Sequence, residues 1–223
     1  MPPSPRRNRS LSLPEDLPRL YPIVDAEVCA AAGRPVGDIA RAFLAAGAQW
    51  LQLRCKGMAS GAFLELAQTV VAECRQAGAT LIINDRADIA ALSDAQGLHV
   101  GQTDLEPADA REVIGDAAIL GLSTHTKGQW DAAVREPISY IAIGPVFGTG
   151  TKATGYEPIG LALVRDASTA AAAHGLPTVA IGGITLENAP SVIEAGAASV
   201  AVISGLVSGD PEARCRAFLR RLK

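Results

Sequence analysis

Residues 80–100, TLIINDRADIAALSDAQGLHV, decide the fold. The stretch opens on the apolar run TLIIN and closes on the apolar run GLHV, with an Ala-rich segment of helical spacing between them. Short continuous apolar runs separated by helices are typical of parallel strands that are covered on both faces. The stretch therefore predicts a strand, a helix and a second, parallel strand.

The same pattern recurs along the chain from residue 20. Further apolar runs are LYPIV, WLQLR, AAILGL, YIAIG, PTVAI and SVAVI, and amphipathic segments such as residues 39–46 and 63–76 separate them. Eight such units in about 200 residues predict an α/β fold, a single (β/α)8 TIM barrel. A doubly wound open sheet is the alternative, but it would show a Gly-rich fingerprint after its first strand, and YPIVDAEV has none.

The chain divides into a head and one domain. Residues 1–18 are rich in Pro, Ser and Arg and have little to bury, so we predict a disordered N-terminal extension. We expect residues 19–223 to form the catalytic barrel, for which a hydrophobic content of 48% is ample although aromatic residues make up only 4%.

Composition limits the partners. A net charge of −3 argues against a general nucleic-acid binder, and no run of about 18 apolar residues is present to span a membrane. The sequence thus predicts small-molecule substrates and leaves open whether the chain forms a homo-oligomer. We expect reduced thiols and a cytoplasmic location, since no CxxC pair occurs among the cysteines, which are Cys29, Cys55, Cys74 and Cys215.

In a TIM barrel the chemistry lies where strands end, and two cations follow the second predicted strand. Gln52, Arg54 and Lys56 alternate in LQLRCK, so in an extended chain they project to one face. The guanidinium fork and the ammonium charge suit an anion with several oxygens. The alternative is an ordinary solvated strand end.

Carboxylates follow the next two strands. Asn84 and Asp85 end the third predicted strand, and Asp104 follows the fourth after a short turn. Neighbouring strands lie about 5 Å apart, so both carboxylates could reach one ion. Oxygen ligands without His predict Mg²⁺ that bridges to a substrate phosphate. The alternative for Asp85 is a helix cap for RADIAAL.

A second anion site is predicted from the glycine-rich loops after strands six, seven and eight. In AIGPVFGTGTKATG, residues 142–155, Gly148 and Gly150 let backbone N–H groups face a ligand, beside Thr149, Thr151 and Lys152. IGGI and ISGL follow the next two strands, a place where barrels often bind phosphate. A plain flexible link is the alternative. Two anion sites indicate an enzyme that joins two phosphorylated molecules and releases pyrophosphate.

The segments QLRCK, IINDRADIA, GLHVGQTDL, GPVFGTGTK, AIGGI and VISGL, taken in order, resemble the thiamine-phosphate synthase family. The resemblance implies a transferase that condenses 4-amino-2-methyl-5-hydroxymethylpyrimidine diphosphate with 4-methyl-5-(2-phosphooxyethyl)thiazole. The implied products are thiamine phosphate and pyrophosphate. The implied mechanism is dissociative, through a pyrimidine carbocation.

The resemblance also implies roles for individual residues. Gln52 would lie beside the pyrimidine, Ser123 would belong to the same site, and Asp85 and Asp104 would bind Mg²⁺. The implied diphosphate ligands are Arg54, Lys56, Asn84 and Lys152. Catalysis would rest on Arg54, Lys56, Ser123 and Lys152. The implied thiazole phosphate site consists of Thr149, Thr151, Gly183, Ile203 and Ser204.

Two alternatives to a synthase remain. A thiazole tautomerase of the same fold has a histidine where this chain has His125, and a non-catalytic phosphate-binding barrel would share the glycine loops. Lys56, Asp85, Asp104 and Lys152 together favour the synthase, because an isomerisation needs no diphosphate site.

Overall fold

The computed structural model describes residues 17–148 and 155–223. In these residues eight parallel strands close a barrel in chain order, since β1 pairs with both β2 and β8. The (β/α)8 prediction is confirmed and the open-sheet alternative is wrong. The strands are β1 (Leu20–Asp25), β2 (Trp50–Arg54), β3 (Thr80–Asn84), β4 (Gly97–Val100), β5 (Ile119–Thr124), β6 (Tyr140–Ile143), β7 (Thr178–Ile181) and β8 (Ser199–Val202).

Helices surround the barrel. Within the described residues they are α1 (Ala26–Ala31), α2 (Val36–Ala46), α3 (Ser60–Ala77), α4 (Ala87–Ser93), α5 (Pro107–Ile114), α6 (Lys127–Ala133), α7 (Gly160–Ala172), α8 (Ala189–Glu194), α9 (Ser204–Val207) and α10 (Pro211–Arg221). The segments 39–46 and 63–76 lie inside α2 and α3 as predicted.

The apolar runs locate the strands to within one residue, except for β5. WLQLR, TLIIN and GLHV coincide with β2, β3 and β4, whereas β5 begins at Ile119 and extends to Thr124. The predicted run AAILGL begins two residues early because the backbone N–H of Ala118 bonds Gly115 in a turn, and pairing with the loop before β4 begins at Ile119 N–H, which donates to Gln96. The polar pair Ser123 and Thr124 therefore belongs to the strand.

Alternating strand residues build two separate cores. In β2 Leu51 and Leu53 join the layer between barrel and helices, which includes Phe43 and Phe63. Trp50 points the other way, into the barrel interior, where it packs with residues of the other strands. Since side chains alternate along a strand, Gln52 and Arg54 share the interior face with Trp50. The interior is thus apolar at the start of the strands and polar at their carboxyl ends.

The four cysteines are free thiols buried in the layer between the barrel and the helices. Burial raises the pKa of Cys29 to about 11, and that of Cys55, Cys74 and Cys215 to about 12. These thiols are therefore protonated packing groups. Among the described residues no helix is both long and apolar enough to cross a bilayer.

The boundary between head and barrel can be placed at Leu17. This residue is 8% exposed and packs with the interior cluster that contains Tyr21 and Trp50. The predicted extension, residues 1–18, therefore includes a side chain that packs into the barrel.

Deleting residues 1–16 should leave turnover and melting temperature unchanged, because this Pro-rich head has little to bury. Adding Leu17→Ala to that deletion should lower the free energy of unfolding by about 2 kcal/mol, from the cavity left in the barrel interior. Urea unfolding of both variants measures the difference. A loss of activity on deleting 1–16 alone would contradict the prediction.

Candidate active site

Arg54 ends β2 inside the barrel, and Asp25 orients it. The two residues are register partners on β2 and β1, and Arg54 Nη1 forms an ion pair with Asp25 Oδ2. Asp25 is 2% exposed and Arg54 8%, and Asp25 Oδ1 also accepts from the Val28 N–H to cap α1. Arg54 Nε is buried and has no partner among the described residues. Arg54 is therefore a cation in a fixed orientation, and its unbonded N–H groups can donate to a ligand.

Asp85 follows β3 in a strained conformation. Its φ of 64° lies in the left-handed region, which costs a non-glycine residue about 1–2 kcal/mol. The capping interpretation is wrong, because α4 begins at Ala87 and its N-cap position, Arg86, makes no side-chain cap bond. Asp85 Oδ2 instead lies 3.0 Å from Lys56 Nζ. Strain of this kind persists where surrounding structure holds it, often at functional sites.

Asp104 brings a second carboxylate to Asp85. Its Oδ2 accepts from the Gly101 N–H at 2.8 Å. Burial raises the pKa of Asp104, and a hydrogen bond to Asp85 and the Asp85 charge raise it further, while the bond from the Gly101 N–H and the Lys56 charge oppose the rise. Two converging carboxylates whose charge is only partly balanced form a site that favours a cation.

Asn84 completes this cluster. It is the last residue of β3 and is 6% exposed, yet its side chain forms no hydrogen bond to any described residue. Its amide donor and acceptor are therefore available to a ligand at the end of β3. The cluster of Arg54, Lys56, Asn84, Asp85 and Asp104 is called the diphosphate cluster below.

Lys56 lies beyond the strand rather than on it. β2 ends at Arg54, so the shared strand face holds for Gln52 and Arg54, and Lys56 follows in a turn with a half-exposed side chain. The side chain still reaches the cluster through Asp85. Its exposure leaves it free to exchange a carboxylate for a ligand.

A cavity of about 120 Å³ opens at the same end of the barrel, at the ends of β5 to β8. Its walls include Ser123, Gly183, Ile203 and Ser204, which the family resemblance assigned to the two substrate sites, and also His125. The ring of His125 donates from Nδ1 to the Gly144 carbonyl at 2.6 Å and stacks on Tyr156 at 4.2 Å. Thr149, Gly150, Thr151 and Lys152 lie outside the described residues.

Gly183 brings the loop after β7 against the loop after β6. Its φ is 63°, and a Cβ there would lie 2.6 Å from the Gly148 carbonyl oxygen and 2.7 Å from Phe147 Cβ. The loop can approach this closely only because Gly183 lacks a side chain.

Gly183→Ala should therefore destabilise the protein more than Gly209→Ala. Gly209 has a φ of 69°, and a Cβ at this position would meet nothing within 4 Å, so that variant carries only the left-handed strain, about 1–2 kcal/mol. The clash at Gly183 should add about 1–3 kcal/mol and displace the loop after β6. Urea unfolding compares them, and equal losses would contradict the contact argument.

The family model described as thiamine monophosphate synthase matches residues 20–206, which include every strand. The chain belongs to this family. The thiamine-phosphate synthase of Chlorobium luteolum is 44% identical over 186 residues, covering 83% of this chain and 86% of the relative. That of Roseiflexus castenholzii is 43% identical over 201 residues, covering 89% and 86%.

A solved member of the family has the same architecture. Thiamine phosphate pyrophosphorylase from Pyrococcus furiosus superposes with a TM-score of 0.82 at 28% identity, covering 92% of this chain and 95% of that one. The structural similarity extends over the whole barrel.

Sequence reasoning missed several polar residues of the interior. Tyr21, His99 and Tyr140 are buried and join Gln52 to Ser123 through hydrogen bonds. Each occupies an alternate position in an apolar run, so its side-chain direction was readable from the strand period. Their mutual contacts were not readable, because they come from strands far apart in the chain.

Proposed function

We propose that this chain is a thiamine-phosphate synthase, which condenses 4-amino-2-methyl-5-hydroxymethylpyrimidine diphosphate with 4-methyl-5-(2-phosphooxyethyl)thiazole. The products are thiamine phosphate and pyrophosphate. Family membership supports the activity, and the observation that carries the site assignment is the diphosphate cluster. There a buried arginine with unused donor capacity and an amide without a hydrogen bond to any described residue lie at the same end of the barrel as two converging carboxylates.

The diphosphate binds to Arg54, Lys56 and Asn84 in this proposal. Arg54 is held by Asp25, so its remaining N–H groups are directed without further loss of side-chain freedom. Lys56 now pairs with Asp85 and would transfer to a phosphate oxygen when a cation takes its place at the carboxylate. Lys152, outside the described residues, would add a further positive charge.

Asp85 and Asp104 fit Mg²⁺. Mg²⁺ prefers oxygen ligands and keeps several waters, so two carboxylates plus substrate phosphate oxygens suffice. The described residues contain no cluster of three or more His, Cys, Asp or Glu side chains, as a site built wholly from protein ligands would need. When bound, the ion would neutralise charge on the diphosphate.

The reaction proceeds by ionisation of the pyrimidine diphosphate, followed by attack of the thiazole nitrogen on the methylene carbon. Arg54, Lys56 and Asn84 stabilise the negative charge that grows on the departing pyrophosphate, and they do so best from fixed positions shielded from water. No protein nucleophile is required. The thiazole phosphate occupies the cavity at Gly183, Ile203 and Ser204, with Thr149 and Thr151 as further ligands.

A pyrophosphate release assay tests this function. Pyrophosphate release should require both substrates together, and its rate should be far lower with either substrate alone. Turnover of the thiazole alone, as an isomerisation, would indicate the tautomerase alternative, in which His125 on the cavity wall would act. Binding without any turnover would indicate a phosphate-binding barrel.

The location and assembly of the enzyme are also proposals. The four buried free thiols suit the reducing cytoplasm. A homo-oligomer remains a proposal that sedimentation of the purified protein tests directly.

A further inference from the structure

A continuous chain of hydrogen bonds crosses the barrel interior from Gln52 to Ser123. Gln52 Nε2 donates to Tyr21 Oη at 3.1 Å, and Tyr21 Oη lies 3.2 Å from Tyr140 Oη. Tyr140 Oη lies 2.9 Å from His99 Nδ1, and His99 Nε2 lies 2.8 Å from Ser123 Oγ. The two ends are the residues assigned above to the pyrimidine site, and the three middle residues have no role in the mechanism so far.

Packing holds the middle residues in place. Tyr21 and Tyr140 are 1% and 0% exposed, and the ring of Tyr140 stacks on His99 with centroids 5.6 Å apart. Tyr140 also meets Trp50 edge-on at 5.8 Å. Gly121 leaves the space that the Tyr140 ring occupies, because a Cβ at this position would collide with the ring. The hydroxyl groups therefore have little freedom to choose other partners.

The donor and the acceptor of each hydrogen bond in this series can be assigned, and all the bonds run in one direction. Each tyrosine carries a single hydroxyl proton, and burial raises the pKa of both far enough to keep them protonated. Tyr21 accepts from Gln52, and its other hydrogen-bond partner among the described residues is Tyr140, so its buried hydroxyl proton is satisfied by donation to Tyr140. With that assignment Tyr140 accepts from Tyr21, and its own buried proton is satisfied by donation to His99 Nδ1, 2.9 Å away. A neutral imidazole that accepts at Nδ1 carries its proton on Nε2, which then donates to Ser123 Oγ.

This direction of the hydrogen bonds leaves an unused acceptor at the Gln52 end and an unused donor at the Ser123 end. The Oε1 atom of Gln52 is an acceptor with no donor among the described residues. The hydroxyl proton of Ser123 is a donor with no acceptor among them, and Ser123 lines the cavity.

We propose that Tyr21, Tyr140 and His99 are positioning residues that set the polarity of Gln52 and Ser123, and thereby select an aminopyrimidine over an oxopyrimidine. The proposal rests on the proposed function. A 4-aminopyrimidine presents an N–H donor and a ring-nitrogen acceptor, which complement Gln52 Oε1 and the Ser123 hydroxyl. A 4-oxopyrimidine presents a carbonyl acceptor and a ring N–H donor instead. A site built to bond one pattern leaves buried polar groups unpaired with the other.

The histidine tautomer tests the direction in the unmodified protein without any ligand. Nitrogen NMR of histidine-labelled enzyme should show His99 neutral with its proton on Nε2. His125 is an internal reference of the opposite kind, since its Nδ1 donates to the Gly144 carbonyl. A proton on Nδ1 of His99, or a charged ring, would overturn the proposal.

Selectivity tests the consequence. The 4-oxo analogue of the pyrimidine diphosphate is assayed as a competitive inhibitor, and its inhibition constant is divided by the KM of the 4-amino substrate. Tyr140→Phe keeps the ring packing but removes the hydroxyl that bonds His99 Nδ1. His99 can then change its tautomer, and Ser123 can donate to His99 Nε2 instead of to the ligand. The ratio should fall by about tenfold, the size of one buried hydrogen bond.

A matched control separates this effect from general loosening. Ser168→Ala removes a buried hydroxyl that bonds Thr178 at 2.7 Å between α7 and β7, outside the site. It should leave the ratio unchanged, and Tyr21→Phe should repeat the Tyr140→Phe result. An unchanged ratio in an active Tyr140→Phe enzyme overturns the proposal alone. Absence of pyrophosphate release by the unmodified enzyme overturns the proposed function instead.

Discussion

Asp104→Asn should lower kcat by about tenfold to a hundredfold while leaving the metal-free protein at least as stable as before. The two effects have opposite signs for one reason. Burial and the negative charge of Asp85 disfavour the ionised Asp104 carboxylate, so removing that charge relieves repulsion in the empty site. The same repulsion is what a cation would relieve during catalysis, and asparagine supplies a neutral oxygen in its place.

Two measurements and a control variant check this expectation. Chelation by EDTA should abolish turnover and added Mg²⁺ should restore it. Mg²⁺ with pyrophosphate should raise the melting temperature of the unmodified enzyme by binding its folded state, and should raise it less in Asp104→Asn. Asp109 is an exposed carboxylate on α5, and Asp109→Asn is the control. It should change neither turnover nor the rise in melting temperature. Full activity in metal-free buffer would refute the magnesium assignment.

Asp25→Ala should lower the free energy of unfolding by about 3–5 kcal/mol, because it leaves the buried Arg54 charge with only the exposed Glu27 carboxylate, 3.7 Å away. The variant also removes the side-chain cap of α1, where Asp25 accepts from the Val28 N–H at 3.0 Å. Turnover should fall with stability, since the freed guanidinium no longer keeps one orientation toward the diphosphate.

Two further variants make the interpretation specific. Asp25→Asn keeps an oxygen for the cap and a weaker bond to Arg54, so it should cost less than alanine. Asp131→Ala breaks the exposed pair with Lys127, in which the Lys127 and Asp131 side chains are 76% and 54% exposed, and should cost under about 0.5 kcal/mol. Urea unfolding compares the three. Similar losses for Asp25→Ala and Asp131→Ala would show that burial of the Arg54 pair does not matter.

Local patterns predicted most of the diphosphate cluster. Arg54, Asn84 and Asp85 stand directly at the ends of apolar runs, and the barrel rule places strand ends at the site. The role of Lys56 depended on a contact rather than on strand alternation, because its side chain reaches Asp85 from a turn. The strained backbone of Asp85 had no signal in the sequence, since aspartate before a helix equally predicts a cap.

The sequence by itself determined the eight strands, the covered parallel sheet and the residues at the strand ends. These follow from a period of two within each strand and from the apolar runs, which are properties of neighbouring residues. Tertiary structure alone decided which of these residues meet. Closure of the barrel joins Tyr21 to Tyr140 across 119 positions, packs Leu17 in the interior and brings Gly183 against the loop after β6. Such contacts depend on register and strand order, and local periodicity does not contain them.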